Sequence, residues 1–466
     1  MSAQACLSEK DRQFREFALH DSMWHVVLYV GLPLALYQSL TQLFKIFDSM
    51  MAAHISATAV SAVSYLSQIN LMLSAIGGGL AVGASIKISE AYGAGDFPLV
   101  KRRVSTLFAM CGILGFGLLA VLVPFTPQFL RLAKTPEEFI AMGSQYFILE
   151  LFGMVISFFN NVYIAIERAR GNSRRILNLN MLVIAIKLSL TALFVYVLHS
   201  GINMISVATI VSQSVLLAAA VINMNQKGNA FGFSPSCISL RQEIAGPMLA
   251  LSVPVIIEKM AFAFGKVIIN SMSTIYNALT VGALGISNNI GGFTTNPQNG
   301  FQEGGSAIIS QNLGAGEPRR ALRTFQCVLI VNVLLGALFM SLSLIFLKQI
   351  SGLFAGSDEA FGSMIASIYR FEALGAIPLG INAAVLSLLY GFGKTRITLF
   401  INFSRVFLYR IPVLWFLQNF TDLGSVSVGI VMGVSNFLTG LTALLIGIWE
   451  IQAICREHQI HFFGAD

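Results

Sequence analysis

The segment SEAYGAGD at residues 89–96 returns later in the chain as SQNLGAGE at residues 310–317, 221 positions on. Farther along each half the offset becomes 222, where Glu150 matches Glu372 and Asn180 matches Asn402. Each repeated unit is far longer than a solenoid repeat. The sequence therefore predicts two similar halves, an organisation that is typical of secondary transporters.

The composition places these halves in a membrane. Of the 466 residues, 55% are hydrophobic and only 11% are charged, whereas soluble domains have about 25% charged residues. Apolar stretches of spanning length occur throughout, so we predict an all-α polytopic membrane protein. The five cysteines are scattered without a CxxC motif, which argues against a disulfide framework or a metal site.

We predict twelve transmembrane helices, six in each half. An even number returns the chain to its starting side, so the two repeats should run parallel. The predicted spans lie near residues 24–52, 57–91, 104–130, 138–168, 174–198, 202–225, 246–274, 278–312, 322–347, 360–391, 396–418 and 424–450.

The spans define two lobes, at 24–225 and 246–450, joined by a polar loop at 226–245. Residues 1–23 precede the first lobe and residues 451–466 form a tail. The N-terminal segment is charged but carries Leu7, Phe14 and Phe17. An interfacial helix and a frayed tail both remain open for it.

Lysine and arginine set the predicted orientation. Fourteen of them follow even-numbered spans, whereas the opposite loops hold only Arg131, Lys134 and Lys348. The positive-inside rule then places both termini in the cytoplasm. This distribution accounts for the formal charge of +7 without a nucleic-acid partner. Because no GxxxxGK[ST] motif is present, transport should be driven by an ion gradient or by no energy source at all.

Five stretches resemble the multidrug and toxic compound extrusion (MATE) transporters. They are FKIFDSMMAAHI at 44–55, the GASIKISEAYGAGD element at 83–96, its partner GGSAIISQNLGAGEPRRA at 304–321, ARGNSRRILNLN at 169–180 and YGFGKTRITLFINFSRVFLYRIPVL at 390–414. The arginines of the last stretch look most like the bacterial branch that contains the Staphylococcus multidrug exporter. The resemblance implies a V-shaped, twelve-helix antiporter of the bacterial inner membrane. It would export amphiphilic cations in exchange for protons or sodium, within membrane lipid and as a monomer, without a cofactor.

Two acids are the leading candidates for coupling or substrate binding. Asp48 matches the acidic residue that the family carries in its first helix, and a partly desolvated carboxylate can exchange a proton near neutral pH. An ion pair with Lys45, one turn away, is the structural alternative. Glu258 follows Pro254 in the seventh span, where the family often has a polar residue facing the cavity. A purely structural role is equally open for it.

Lys187 and Thr191 depart from the family pattern. Proton-coupled relatives carry an Asn and an Asp at these positions. An ammonium group here could pair with Asp48, which would weaken a sodium site in the first lobe, because the fixed charge repels sodium. Snorkelling toward the interface is the alternative.

A second group of residues completes the predicted site. The matched Glu150 and Glu372 suggest a shared structural duty in both lobes, while Glu303 and Arg405 are further intramembrane charges. Hinges are expected at the prolines of the first, seventh and eighth spans, Pro33, Pro254 and Pro297.

Other functions stay open. The intramembrane cations, among them Lys266 and Arg410, would suit a flippase of anionic lipid-linked saccharides. A membrane-embedded enzyme would need a convergent catalytic set, yet the six histidines lie near span ends or in the tails without HExxH or GxSxG.

Overall fold

The computed structural model describes residues 7–52, 57–133, 135, 137–201, 203–226, 229–356, 358–460 and 462, and within the helices it leaves the side chains at 45–65, 138, 139, 142 and 278 undescribed. Across these ranges the secondary structure is helical and contains no strand. The predicted all-helical fold is thereby confirmed.

Seventeen α-helices follow one another in the described residues. They are α1 (Glu9–His20), α2 (Met23–Ala52), α3 (Ala57–Gly93), α4 (Phe97–Leu122), α5 (Thr126–Leu132), α6 (Glu137–Ala169), α7 (Ser173–Ala192), α8 (Asn203–Met224), α9 (Gln242–Ser273), α10 (Ala278–Gly314), α11 (Pro318–Ile345), α12 (Leu347–Ala355), α13 (Glu359–Ala373), α14 (Ala376–Gly391), α15 (Thr395–Phe403), α16 (Ile411–Phe420) and α17 (Val426–Glu457). Two π-helical segments, Leu193–Val197 and Ser404–Arg410, extend α7 and join α15 to α16.

Most of the predicted spans are recovered as helices. In the described part of the chain, ten helices are long and apolar enough to cross a membrane, and the bent pair α13 and α14 supplies an eleventh. The predicted eighth span corresponds to α10, which has 37 residues. Among the described helices of 18 or more residues, α10 is the one whose hydropathy is too low to indicate a membrane span. Amides and glycines interrupt its apolar stretches.

The backbone repeats where the sequence repeats. Gly95 and Gly316 end the duplicated GAG turns with φ of 78° and 79°, and Gly171 and Gly393 match at 79° and 70°. Positive φ is the left-handed conformation that a glycine adopts without steric cost after a helix. The duplication therefore fixes the same turns at the same places in both halves.

Two compact units are present. Unit 1 contains Met1–Glu16 and Leu43–Met260, and unit 2 contains Phe17–Gln42 and Ala261–Asp466. Phe147, Phe158 and Tyr163 of α6 are fully buried in the core of unit 1. The units are defined by contacts within each of them and not by the sequence repeat. They therefore do not test the lobe limits at 24–225 and 246–450, which stay a prediction.

The predicted hinge prolines all lie inside helices. Pro33 belongs to α2, Pro254 to α9 and Pro297 to α10, and each helix continues through its proline. The clear break falls elsewhere, between Ala373 and Ala376, where α13 and α14 meet at 46°. Hinge motion at the prolines stays a prediction.

Candidate functional site

The break between α13 and α14 holds an acidic side chain in unit 2. Glu372, one residue before the end of α13, accepts a hydrogen bond from the Ser287 hydroxyl of α10. A Cβ at Gly291 would lie 2.9 Å from Glu372 Oε1, so the glycine leaves room for the carboxylate. Interrupted membrane helices are where transporters commonly build ion and substrate sites.

Two arginines approach the same region from the π-helical segment. Arg405 and Arg410 are five residues apart, which on an α-helix would separate them by about 140°. The segment Ser404–Arg410 is π-helical, and its wider i→i+5 turns bring residues five apart close together on one face. Both guanidinium groups therefore reach the same partner.

That partner is Asn436 of α17. Its Oδ1 accepts hydrogen bonds from Arg405 at 2.9 Å and from Arg410 at 3.0 Å. Arg410 Nε also donates to the Ser435 hydroxyl at 3.0 Å. Close packing keeps the amide in place, because a Cβ at Gly375 would lie only 2.5 Å from Asn436 Cβ.

An aromatic ring from α9 completes the cluster. The Phe262 centroid lies 5.1 Å from Lys266 Nζ, 5.3 Å from Arg405 Cζ and 6.0 Å from Arg410 Cζ. Ring faces attract cations at these distances. The charges of all three cations act on the Glu372 carboxylate. Unit 2 thus gathers three cations, one carboxylate, one amide and one ring, which we call the basic cluster (Phe262, Lys266, Glu372, Arg405, Arg410 and Asn436).

The matching acid of unit 1 accepts hydrogen bonds from an amide and a hydroxyl. Glu150 accepts hydrogen bonds from Asn70 Nδ2 at 3.0 Å and from the Ser206 hydroxyl at 2.7 Å. The residue 221 positions after Asn70 is Gly291, which leaves space beside Glu372. Both equivalent carboxylates therefore accept a hydrogen bond from a serine hydroxyl, and the amide donor of Asn70 beside Glu150 is replaced by the space at Gly291 beside Glu372.

The remaining predicted site residues of unit 1 belong to three helices, α2, α7 and α9. Glu258 is buried in α9, with 6% of its surface exposed. Lys187 is half-buried in α7, and Thr191 is fully buried with no hydrogen-bond partner for its hydroxyl. The side chain of Asp48 lies outside the described part of the structure, so its pairing with Lys187 or Lys45 stays a prediction. Glu303 of unit 2 is half-buried in α10.

The N-terminal segment forms a helix whose first half is bound to unit 1. Arg170 donates two hydrogen bonds of 2.9 and 3.0 Å to the Asp11 carboxylate and one of 3.2 Å to Glu167. All three side chains are at most 8% exposed. Burial acts to lower the pKa of Arg170, but the charges of Glu167 and Asp11 outweigh it and raise that pKa above its ordinary value. α1 also places Phe14 against Gly171, and Arg15 bonds to the carbonyl of Gly93 at 2.9 Å.

Sequence analysis missed several of these residues. Arg405 and Arg410 were named, but nothing in the α-helical period brings them together, and Phe262 is one of 36 phenylalanines. Ser435 and Asn436 carried a usable signal, because adjacent polar residues interrupt an otherwise apolar span. Asp11 was one charge among several in a polar segment, and only its arginine partner 159 residues away explains its burial.

No metal site is evident in the described portion of the chain. The His, Cys, Asp and Glu side chains there form no group of three or more that could hold a metal ion.

The chain matches one family model twice. The MatE family model covers residues 33–197 and 254–416, one match for each sequence repeat. The chain is 23% identical over 413 residues to the probable multidrug resistance protein YoeA of Bacillus subtilis, covering 86% of this chain and 88% of that protein. It is 20% identical over 394 residues to the multidrug export protein MepA of Staphylococcus haemolyticus, covering 83% and 85%.

The fold matches solved structures as well. The crystal structure of MATE in complex with MaL6 superposes with a TM-score of 0.90, at 18% identity, over 94% of this chain and 99% of that one. At this identity the superposition concerns the fold.

Proposed function

Because the chain belongs to the MatE family of MATE transporters, we propose that it exports amphiphilic organic cations in exchange for protons or sodium, by alternating access. It would do so from the bacterial inner membrane with both termini in the cytoplasm, an orientation supported by the lysine and arginine distribution between loops.

The observation that carries this proposal is the presence of carboxylates inside membrane spans of both units. Glu258 of unit 1 is buried in α9, and Glu372 of unit 2 sits at the break of a span. Placing an ionised group within a bilayer costs free energy, so such a group generally has a partner or a function. A carboxylate that gains and loses a proton or sodium ion can attract an organic cation in one state and release it in the other.

Asp48 is the proposed coupling residue. It occupies α2 within the first stretch of the family match, and its carboxylate would bind the ion that drives export. Glu258 would assist by attracting the cationic substrate, while Lys187 and Thr191 would tune the charge that Asp48 experiences.

Everted membrane vesicles test this function. A fluorescent organic cation is supplied, and the pH and sodium gradients are collapsed separately, so that the gradient required for export identifies the coupling ion. We expect Asp48→Asn to reach the membrane folded and to lose gradient-driven export. Asp422→Asn is the matched control, since Asp422 is exposed between α16 and α17, and it should export normally. Normal export by a well-expressed Asp48→Asn protein would refute the coupling role.

A second candidate function is the movement of anionic lipids or lipid-linked saccharides. The basic cluster of unit 2 favours it, because three cations within 6.0 Å of one ring centroid suit a negatively charged head group. Reconstituted liposomes with a fluorescent anionic lipid distinguish this function, since a flippase would equilibrate the lipid between leaflets and a drug exporter would not.

A further inference from the structure

Unit 1 contains an apolar cavity of about 510 Å³. The cavity lies between α4 and α8, which both pack against α6. The connecting loop, residues 229–241 between α8 and α9, closes one side of it with Phe233 and Pro235. Among the described residues that line the cavity, Asn225 is the one polar side chain. A buried water needs about two to four polar partners, so this lining favours an apolar occupant.

The part of the lining that α8 supplies is a narrow stripe. Its four side chains are spaced three or four residues apart and therefore lie on one face of the helix: Leu217, Ala220, Val221 and Met224. At 1.5 Å per residue the stripe is about 10 Å long, and Asn225 follows directly at its end. The stripe thus offers an apolar length and one polar end, which suits an alkyl chain with a polar head.

Hydrogen bonds fix the connecting loop beside the cavity. The Ser234 N–H donates to Ser105 Oγ of α4 at 3.0 Å, and the Ser239 N–H donates to Thr106 Oγ1 of α4 at 3.0 Å. The loop is therefore attached to α4 on both sides of Pro235, and this lining residue has a defined position.

Aromatic rings form the wall opposite the α8 stripe. The Phe108 ring of α4 lies edge-on to the Phe233 ring of the connecting loop, with centroids 5.9 Å apart. The same Phe108 ring is nearly parallel to the Phe159 ring of α6 at 6.4 Å. Both separations are within the range of favourable ring contacts. An occupant packed against this wall would touch the loop and two helices of unit 1 together.

One edge of the cavity continues into the surface that faces lipid. Val221 lines the cavity yet is 51% exposed, and the next residue, Ile222, is 69% exposed. Both residues belong to α8, a helix apolar enough to cross a membrane. Phospholipid chains therefore surround this edge. A cationic cargo suits the cavity less well, because the described lining residues include no carboxylate.

We propose that this cavity binds one acyl chain of a membrane phospholipid, with the lipid head group next to Asn225. Because the chain comes from lipid, close packing and not the exclusion of water would hold it. By filling the space beside Phe233 it would fasten the connecting loop to unit 1. The cavity has the volume of small-molecule sites, about 300–1,000 Å³, and a partner helix about 10–12 Å wide would not fit.

Lipid binding to the purified full-length protein tests the proposal. The probe is dioleoylphosphatidylethanolamine, added to delipidated protein in a non-ionic detergent, and native mass spectrometry measures the affinity for the first lipid. We expect Val221→Trp, which places a ring in the cavity, to weaken that affinity about tenfold through overpacking. Ile222→Trp is the matched control, because Ile222 is adjacent on α8 and exposed, and it should bind like the wild type.

A second variant fills the cavity from the opposite helix. Ala109→Phe acts from α4, where Ala109 is half-buried in the lining, and it should weaken the lipid in the same way. Weakening in either folded variant, with Ile222→Trp unchanged, supports the site. Wild-type affinity in both folded variants would refute it, and so would equal weakening in Ile222→Trp.

Hydrogen–deuterium exchange tests the effect on the connecting loop, since exchange reports local opening. The lipid should slow exchange of the amides at 233–239 about tenfold in the wild type and leave Val221→Trp unchanged. Unaltered exchange in the wild type would overturn the fastening of the loop. If Val221→Trp weakens a fluorescent organic cation and leaves the lipid unaffected, the cavity holds cargo and the proposal is wrong. Binding requires no gradient, so a failure of gradient-driven export would leave this result intact.

Discussion

Asp11→Asn should release the first half of α1 from unit 1. Asp11 is 2% exposed and holds Arg170 through two hydrogen bonds of 2.9 and 3.0 Å. The change keeps the shape of the side chain but removes its charge and turns one acceptor into a donor. The charge of Arg170 would then remain buried with Glu167 as its remaining acidic partner.

The size of the effect follows from the contacts that survive. Breaking a buried ion pair costs about 3–5 kcal/mol. Arg170 keeps Glu167 at 3.2 Å, so the lower end applies, about 3 kcal/mol. At 1.36 kcal/mol for each factor of ten, the opening equilibrium of α1 should rise roughly 100-fold.

Hydrogen–deuterium exchange of the α1 amides at residues 12–16 measures this opening, since exchange reports local unfolding free energies. Glu9→Gln is the matched control on the same helix, because the Glu9 side chain is 69% exposed and lies 3.9 Å from Arg12. An exposed pair contributes at most about 1 kcal/mol, so its exchange should rise less than about fivefold. If α1 in Asp11→Asn exchanges within threefold of the wild type, the ion pair does not hold the helix and the reasoning fails.

The stability that the Arg170 charge contributes to α1 depends on pH in one direction. The raised pKa of Arg170 means that its stabilising charge is fully present below the ordinary arginine value and is lost only as pH rises beyond the folded pKa. Arg170 titration therefore contributes no change in α1 exchange between about pH 6 and 9, once the intrinsic pH dependence of exchange is subtracted.

Two further predictions concern the membrane spans. If Lys187 pairs with Asp48, Lys187→Ala should lower the free energy of unfolding by roughly 3–5 kcal/mol, and adding Asp48→Asn should restore much of it; thermal melts in detergent would show this, and additive losses would mean that the residues do not meet. Gly375→Ala should destabilise the protein by about 1–3 kcal/mol, because its Cβ would lie 2.5 Å from Asn436 Cβ. Gly352→Ala is the control for that change, since a Cβ there meets nothing within 4 Å and alanine favours the helix by up to about 1 kcal/mol; equal melting of both alanine variants would contradict the packing argument.

The sequence by itself determined the class, the duplication and most of the helices. Spanning runs of apolar residues are a local property of the chain, so α4 and α11 can be located without knowing their neighbours. The turns at Gly95 and Gly316 were equally readable, because only glycine takes their positive φ without cost. The eighth span follows from its length and from the repeat. Hydropathy alone would not identify it, because its composition is too polar.

Only the tertiary structure decided which charged groups meet. Arg405 and Arg410 lie on one face because the helix widens to π geometry there, and an α-helical projection separates them. Glu372 and Asp11 meet partners far along the chain, Ser287 and Arg170. Local sequence fixes where a helix forms, since the bilayer and the backbone impose the same demands at every span. Which side chains share a site depends on long-range packing, and a single sequence carries no direct record of those contacts.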